Sequence, residues 1–256
     1  MLLDAHTHLD HYDDATLDAA LDEIAAQHIL AVTVTIDPSS YARACEIAAR
    51  SAFVLPCFGI HPWEAYRIVH DLDALQPLID ATPLIGEIGL DYLWDEDPAH
   101  YPAQRTVFAH LLQAATAQDK IVNLHTKGAE HDVVTMLDRF SVRRAIVHWY
   151  SGPRDAFDAL LARDCYFTFG VATPHVSDIQ ALARHAPLER ILTETDGPGG
   201  LRWVTDEIGM PHHINDILRS LADLRGLSLA DMTNVVAENW RRLIAGDQRL
   251  EPWARW

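Results

Sequence analysis

Eight times along this chain a short run rich in Val, Ile, Leu and Thr gives way to apolar residues at helical spacing. No other feature constrains the fold as much. Strands joined through helices pair in parallel, and a parallel sheet needs both faces covered. The runs end at His8, Ile36, Phe58, Ile88, His125, His148, Phe169 and Glu194. Helical patterns between them include Ala15 to His28, Ser39 to Ser51 and Tyr101 to Gln118. After the last run come His213 to Arg225 and Ser228 to Ala245, and 246–256 reads as a tail.

This order predicts an α/β fold, a single (β/α)8 TIM barrel over residues 1–256, with its active site at the C-terminal ends of the strands. The 256 residues suit such a barrel, which runs to about 250 residues as one domain. An open doubly wound sheet is the alternative, but no Gly-x-Gly-x-x-Gly turn follows the first strand to support it.

Groups able to bind metal fall at the strand ends. Asp4, His6 and His8 share one face of the first strand. His61 follows the third strand, Glu87 lies in the fourth, His125 and His148 end the fifth and sixth, and Asp196 follows the eighth. Two histidines near a terminus can be surface residues. Ligand types recurring around one rim point instead to divalent ions, which imidazole and carboxylate bind well. Charge and number divide them. His6, His8 and Asp196 suit one ion, His125 and His148 suit another, and Glu87 can reach both. Two divalent ions (Zn, Mn, Mg, Ni or Fe) are therefore expected. Such a pair activates a shared water and stabilises the attacking and leaving oxygens of a phosphoryl displacement. Asp196 can accept that water's proton.

With 20 Lys and Arg against 37 Asp and Glu, the net charge of −17 argues against broad binding along nucleic-acid phosphates. It does not exclude a nuclease, because site carboxylates count in the total and bound cations reverse the local sign. Cys45, Cys57 and Cys165 are far apart and read as reduced core residues of a cytoplasmic protein. No run approaches the roughly 18 apolar residues of a membrane span, and the N-terminus lacks the pattern of a signal peptide. Trp240, Trp253 and Trp256 are expected to pack the C-terminal segment, with a partner-docking tail as the alternative.

The ordered set Asp4-Ala5-His6-Thr7-His8, Gly59-Ile60-His61-Pro62, Gly86-Glu87-Ile88-Gly89-Leu90-Asp91, His125, His148-Trp149-Tyr150-Ser151-Gly152 and Thr193-Glu194-Thr195-Asp196-Gly197-Pro198 closely resembles the TatD family of metal-dependent deoxyribonucleases. The resemblance covers almost the whole chain. It implies a TIM-barrel hydrolase of the amidohydrolase type that cuts phosphodiester bonds, typically with 3′ exonuclease or DNA-repair character. Its substrate would be DNA ends or short single strands. It also implies that His61 faces the substrate phosphate rather than completing a metal site.

The departures cluster around substrate. Where the family has His-x-Arg, this chain has His125-Thr126-Lys127, so a point charge replaces a bidentate fork. Trp149 and Tyr150 could stack on a base. The loop after Asp196 is the least family-like, and Arg202 is its candidate phosphate contact. Two other readings stay open: a hydrolase of small esters, lactones or acylated nucleotides on the same metals, and an interaction module of a larger nuclease or defence assembly. Relatives acting on acyl groups often bridge their metals with a carboxylated Lys, whereas strand four supplies Glu87 and no Lys at its end.

Overall fold

The computed structural model describes residues 1–254. Trp256, expected to pack the tail, lies outside the described residues. Among the described residues eight strands run in chain order: β1 (Leu2–Thr7), β2 (Ile29–Val34), β3 (Val54–Cys57), β4 (Ile85–Asp91), β5 (Val122–Lys127), β6 (Ala145–Val147), β7 (Tyr166–Phe169) and β8 (Ile191–Thr193). The helices are α1 (Asp14–Gln27), α2 (Pro38–Ala48), α3 (Ala65–Ile68), α4 (Gln76–Ala81), α5 (Tyr101–Ala117), α6 (Glu130–Arg139), α7 (Arg154–Ala162), α8 (Ser177–His185), α9 (Arg202–Thr205), α10 (Ile214–Arg225) and α11 (Leu229–Ile244). The expected strand–helix alternation is present, with short extra helices after β3 and β8.

The chain forms two compact units. One comprises Met1–Thr33, Ala44–Leu55 and the chain from Phe167 on; the other comprises Val34–Arg43 and Pro56–Tyr166. In the first unit β1 pairs in parallel with β2, and β7 with β8. The end of β8 is tied to β1: the Thr193 hydroxyl donates to the Leu3 carbonyl, and the Asp196 N–H to the His6 carbonyl (3.0 Å). Leu17, Ala20, Leu21 and Ile24 of α1 are buried with Leu9, Ile29 and Val54 in one apolar cluster. Asp13 starts that helix by accepting from Thr16 N–H at 2.8 Å, a side-chain cap for an otherwise unpaired donor. Trp240 of α11 is fully buried, and its indole N–H donates to the Trp253 carbonyl at 3.2 Å, so the tail packs as expected up to that residue.

In the second unit β4, β5 and β6 pair in parallel. Val107, Phe108, Leu111 and Leu112 form the buried face of α5, each contributing about 1.5–3 kcal/mol by leaving water. Strand β4 is longer than its apolar run. It continues through Gly89 to Asp91. At Gly89 (φ +153°) a Cβ would sit 1.9 Å from the His125 carbonyl oxygen. Only glycine allows the two strands to lie this close. Asp91 is thereby a strand residue pointing with the site, not part of a following loop.

Cys57 and Cys165 are buried as expected, but Cys45 is exposed. On α2 the buried stripe is Tyr41, Ala44 and Ile47. Cys45 is one residue further on, about 100° round the helix and off the stripe. Among the described residues no helix is long and apolar enough to cross a membrane.

Candidate metal centre

The first unit gathers part of the expected set where β1 ends beside the loop after β8. His6 is fully buried and His8 nearly so. Their Nε2 atoms lie 3.7 and 3.5 Å from Asp196 Oδ1. The His8 N–H donates to the Gly197 carbonyl at 2.8 Å, which fixes the loop against the strand. Asp196 sits at φ +49°, a left-handed conformation that Asp tolerates better than most residues and that marks a constrained position.

Behind these lie two buried carboxylates: Asp4, expected on the face of His6 and His8, and Glu194, which the sequence marks only as the end of the eighth run. Asp4 accepts from Thr195 N–H (2.9 Å) and the Thr195 hydroxyl (2.6 Å). Burial pushes its pKa up to about 7, against the lowering effect of those two bonds. Glu194 accepts from the Thr168 hydroxyl at 2.6 Å. Their shared signal is a carboxylate within or directly after a buried strand, where it must be hydrogen-bonded or ligating.

The second unit gathers the rest around Glu87, which is 2% exposed. Its Oε1 lies 2.7 Å from His125 Nδ1, 3.0 Å from His148 Nε2 and 3.6 Å from His61 Nε2. Asp91 closes the far side, with Oδ2 2.9 Å from His125 Nε2. Burial alone would lower the His125 pKa, but the bonds to Asp91 and Glu87 outweigh it and raise it. Asp91 is the reverse: burial would raise it, and the His125 bond and charge bring it to about 2. His125 thus keeps its proton to a higher pH than an ordinary imidazole, between two carboxylates.

His61 belongs to this group in space but differs in chemistry. Its Nδ1 accepts from Trp63 N–H at 3.2 Å. The neutral ring then carries its proton on Nε2, so the atom facing Glu87 and His125 is a donor. That tautomer suits a phosphate oxygen better than an ion.

The donor set fits divalent metal. Buried imidazoles converge on a carboxylate in each unit, His6 and His8 on Asp196 in one and His125 and His148 on Glu87 in the other. A cation would offset the cost of burying Glu87 and balance the charge of the partly buried Asp196. His8, Asp10 and His11 also place their donor atoms within 4.8 Å of one another, yet the His8 and His11 rings stack face to face, 4.8 Å apart and 7° from parallel. Imidazole nitrogens bind an ion in the ring plane, so stacked rings do not share one.

The expected substrate contacts divide as well. Lys127 Nζ donates to the Trp149 carbonyl (2.5 Å) and the Ser151 hydroxyl (3.0 Å) and lies 5.8 Å from the Trp149 ring centroid. Trp149 is partly exposed. Tyr150 does not stay available for stacking: it is 3% exposed and its hydroxyl donates to the Pro153 carbonyl at 2.6 Å. Arg202 is exposed at the start of α9, where with His11, Tyr12 and Pro198 it lines a cavity of about 110 Å³.

Comparison with known proteins agrees with these features. Residues 3–245 match the model of a family described as TatD related DNase. The chain is 26% identical to the uncharacterized metal-dependent hydrolase YabD of Bacillus subtilis, over 95% of this chain and 98% of that one. It is 28% identical to the uncharacterized metal-dependent hydrolase YcfH of Escherichia coli, over 94% and 95%. It is 26% identical to deoxyribonuclease TATDN3 of Homo sapiens, over 94% of each. In structure it resembles the TatD homolog YJJV of Escherichia coli, with a TM-score of 0.86 at 21% identity over 94% and 97% of the two chains. The strand–helix order and this likeness give the fold class, an α/β TIM barrel.

Proposed function

This chain belongs to the TatD related DNase family and is a metal-dependent hydrolase, and from that premise we propose that it cleaves phosphodiester bonds at DNA ends or in short single strands, as a 3′ exodeoxyribonuclease. One observation carries the reading: each unit brings at least two buried imidazoles to a single carboxylate, at Asp196 in one and at Glu87 in the other.

His6, His8 and Asp196 hold one divalent ion; Glu87, His125 and His148 hold a second. When bound, two such ions lower the pKa of a water and neutralise charge on the phosphoryl oxygens. The chain's own groups do the rest. Asp196 accepts the proton of the attacking water through its carboxylate. His61 donates from Nε2 to a non-bridging phosphate oxygen, its tautomer set by Trp63 N–H. Lys127, aimed by the Trp149 carbonyl, offsets phosphate charge, with Trp149 beneath it. Arg202 engages a phosphate group at the cavity it lines with His11. We read the chain as one hydrolase domain and, from its dispersed cysteines, as cytoplasmic.

The test is hydrolysis of end-labelled single-stranded DNA supplemented with each candidate divalent ion, with Glu87→Ala as control. A ladder shortening from the 3′ end, absent in the variant, is expected. Equal cleavage by wild type and variant would refute the assignment.

A further inference from the structure

We propose that Trp63 and Trp94 form a stacking platform for the bases of an unpaired strand, so that the enzyme selects base-bearing single strands. The proposal rests on the phosphodiesterase reading above. Both tryptophans are about half exposed, at 46% and 50%. Large aromatic faces left in water beside a buried site mark a binding surface rather than a core.

One carboxylate anchors the platform to the site. Asp91 Oδ2 accepts from the Trp63 indole N–H at 2.9 Å and faces His125 Nε2 at the same distance. Asp91 Oδ1 accepts from the backbone N–H of Trp94 at 2.7 Å. The Trp63 ring is therefore held by its polar edge and meets the His61 ring edge-on, with centroids 4.6 Å apart and planes at 73°. A phosphate on His61 Nε2 leaves its neighbouring base within reach of the indole.

The occupant follows from charge. This chain carries −17, so it cannot gain most of its affinity from phosphate contacts. Stacking supplies affinity without cations and tolerates any base sequence. The few local cations are interleaved with rings: the Arg67 guanidinium lies 5.2 Å from the Tyr66 ring and that of Arg105 lies 6.0 Å from the Tyr92 ring. Alternating rings and cations suit a single strand, because paired bases in a duplex hide their faces.

The experiment compares kcat/KM on an oligothymidylate with that on an abasic strand of equal length. Wild type is expected to prefer the base-bearing strand by about tenfold or more. Trp94→Ala keeps the backbone N–H that donates to Asp91 Oδ1 and should bring the preference down towards one. Trp63→Ala should do the same. Trp63→Phe keeps a ring face and should retain most of the preference. The platform is wrong if Trp63→Phe falls as far as Trp63→Ala, if the Ala variants lose equally on both strands, or if they change only the oligomeric state. A second readout separates this from the nuclease reading. With metal chelated, oligothymidylate should quench tryptophan fluorescence, the abasic strand should not, and Trp63→Phe with Trp94→Phe should remove much of the signal. Quenching without cleavage of either strand would defeat the DNase assignment and keep the platform. Absence of quenching would defeat the platform.

Discussion

The two carboxylate–imidazole clusters are made of the same groups but stand in different states. In the cluster of β1 and β8, Asp196 lies 3.5 and 3.7 Å from its two imidazoles, too far for good hydrogen bonds. Two ligands on one tetrahedral ion, each at about 2.1 Å, are about 3.4 Å apart. This cluster is already spaced for an ion. In the cluster of β4, β5 and β6, Glu87 approaches His125 and His148 to 2.7 and 3.0 Å. These are hydrogen-bond distances, shorter than the separation of two ligands on one ion. One cluster is preorganised by backbone constraint, the other is drawn together by contacts that a metal must open.

The largest expected effect comes from removing the carboxylate at the centre of the second cluster. Glu87→Ala should lower metal-supported turnover by about a thousandfold or more, since several kcal/mol of transition-state stabilisation depend on the ion. Circular dichroism should show the fold retained. A variant that keeps one bound equivalent of metal supports two distinct clusters; loss of both equivalents together would show that they load as one.

Asp91 tests the pairing more gently. Asp91→Asn keeps an acceptor for the Leu93 and Trp94 N–H groups but weakens the grip on His125. Metal affinity of the second cluster should fall about 10- to 100-fold, as read by competition with a chelating dye. An unchanged affinity would mean that Asp91 serves only the loop.

The difference also predicts how acid strips the metal. Because the His125 pKa is raised by Asp91 and Glu87 against the effect of burial, its ring stays protonated to a higher pH than an ordinary histidine. Protons then compete for this cluster first as the pH falls, because His6 and His8 stand 3.7 and 3.5 Å from Asp196, beyond a good hydrogen bond. Metal content measured against pH should drop in two steps, with the step at higher pH surviving in His6→Ala. A single common step would break the comparison.

Much of this was legible in the chain itself. Branched apolar runs separated by helical spacing give the strand order, and the rim histidines stand out because imidazole is rare inside a strand. Asp91 and Glu194 were not read as site residues because a carboxylate beside apolar residues looks like a strand boundary until burial is known. Asp91 was further obscured by Gly89, which interrupts the apolar run while permitting the strand to continue. Cys45 shows the limit of composition: a residue type that favours the interior was misplaced by one position on α2. Tyr150 shows the same for function, since its aromatic ring is spent on packing and only the fold reveals it.

Asp196 offers the smallest effect on stability and the sharpest separation of structure from chemistry. Its φ of +49° costs a residue with a Cβ some strain, of order 1 kcal/mol. Both backbone bonds that place it, from its own N–H to the His6 carbonyl and from Gly200 N–H to its carbonyl, survive replacement by glycine. Asp196→Gly should therefore leave the metal-free protein as stable as wild type, or up to about 1 kcal/mol more stable, while abolishing the first ion's binding. Denaturant unfolding in chelator reads the first quantity and metal content reads the second. Destabilisation by more than about 1 kcal/mol would mean that the carboxylate holds the loop together, and the spacing of this cluster would then reflect packing rather than readiness for an ion.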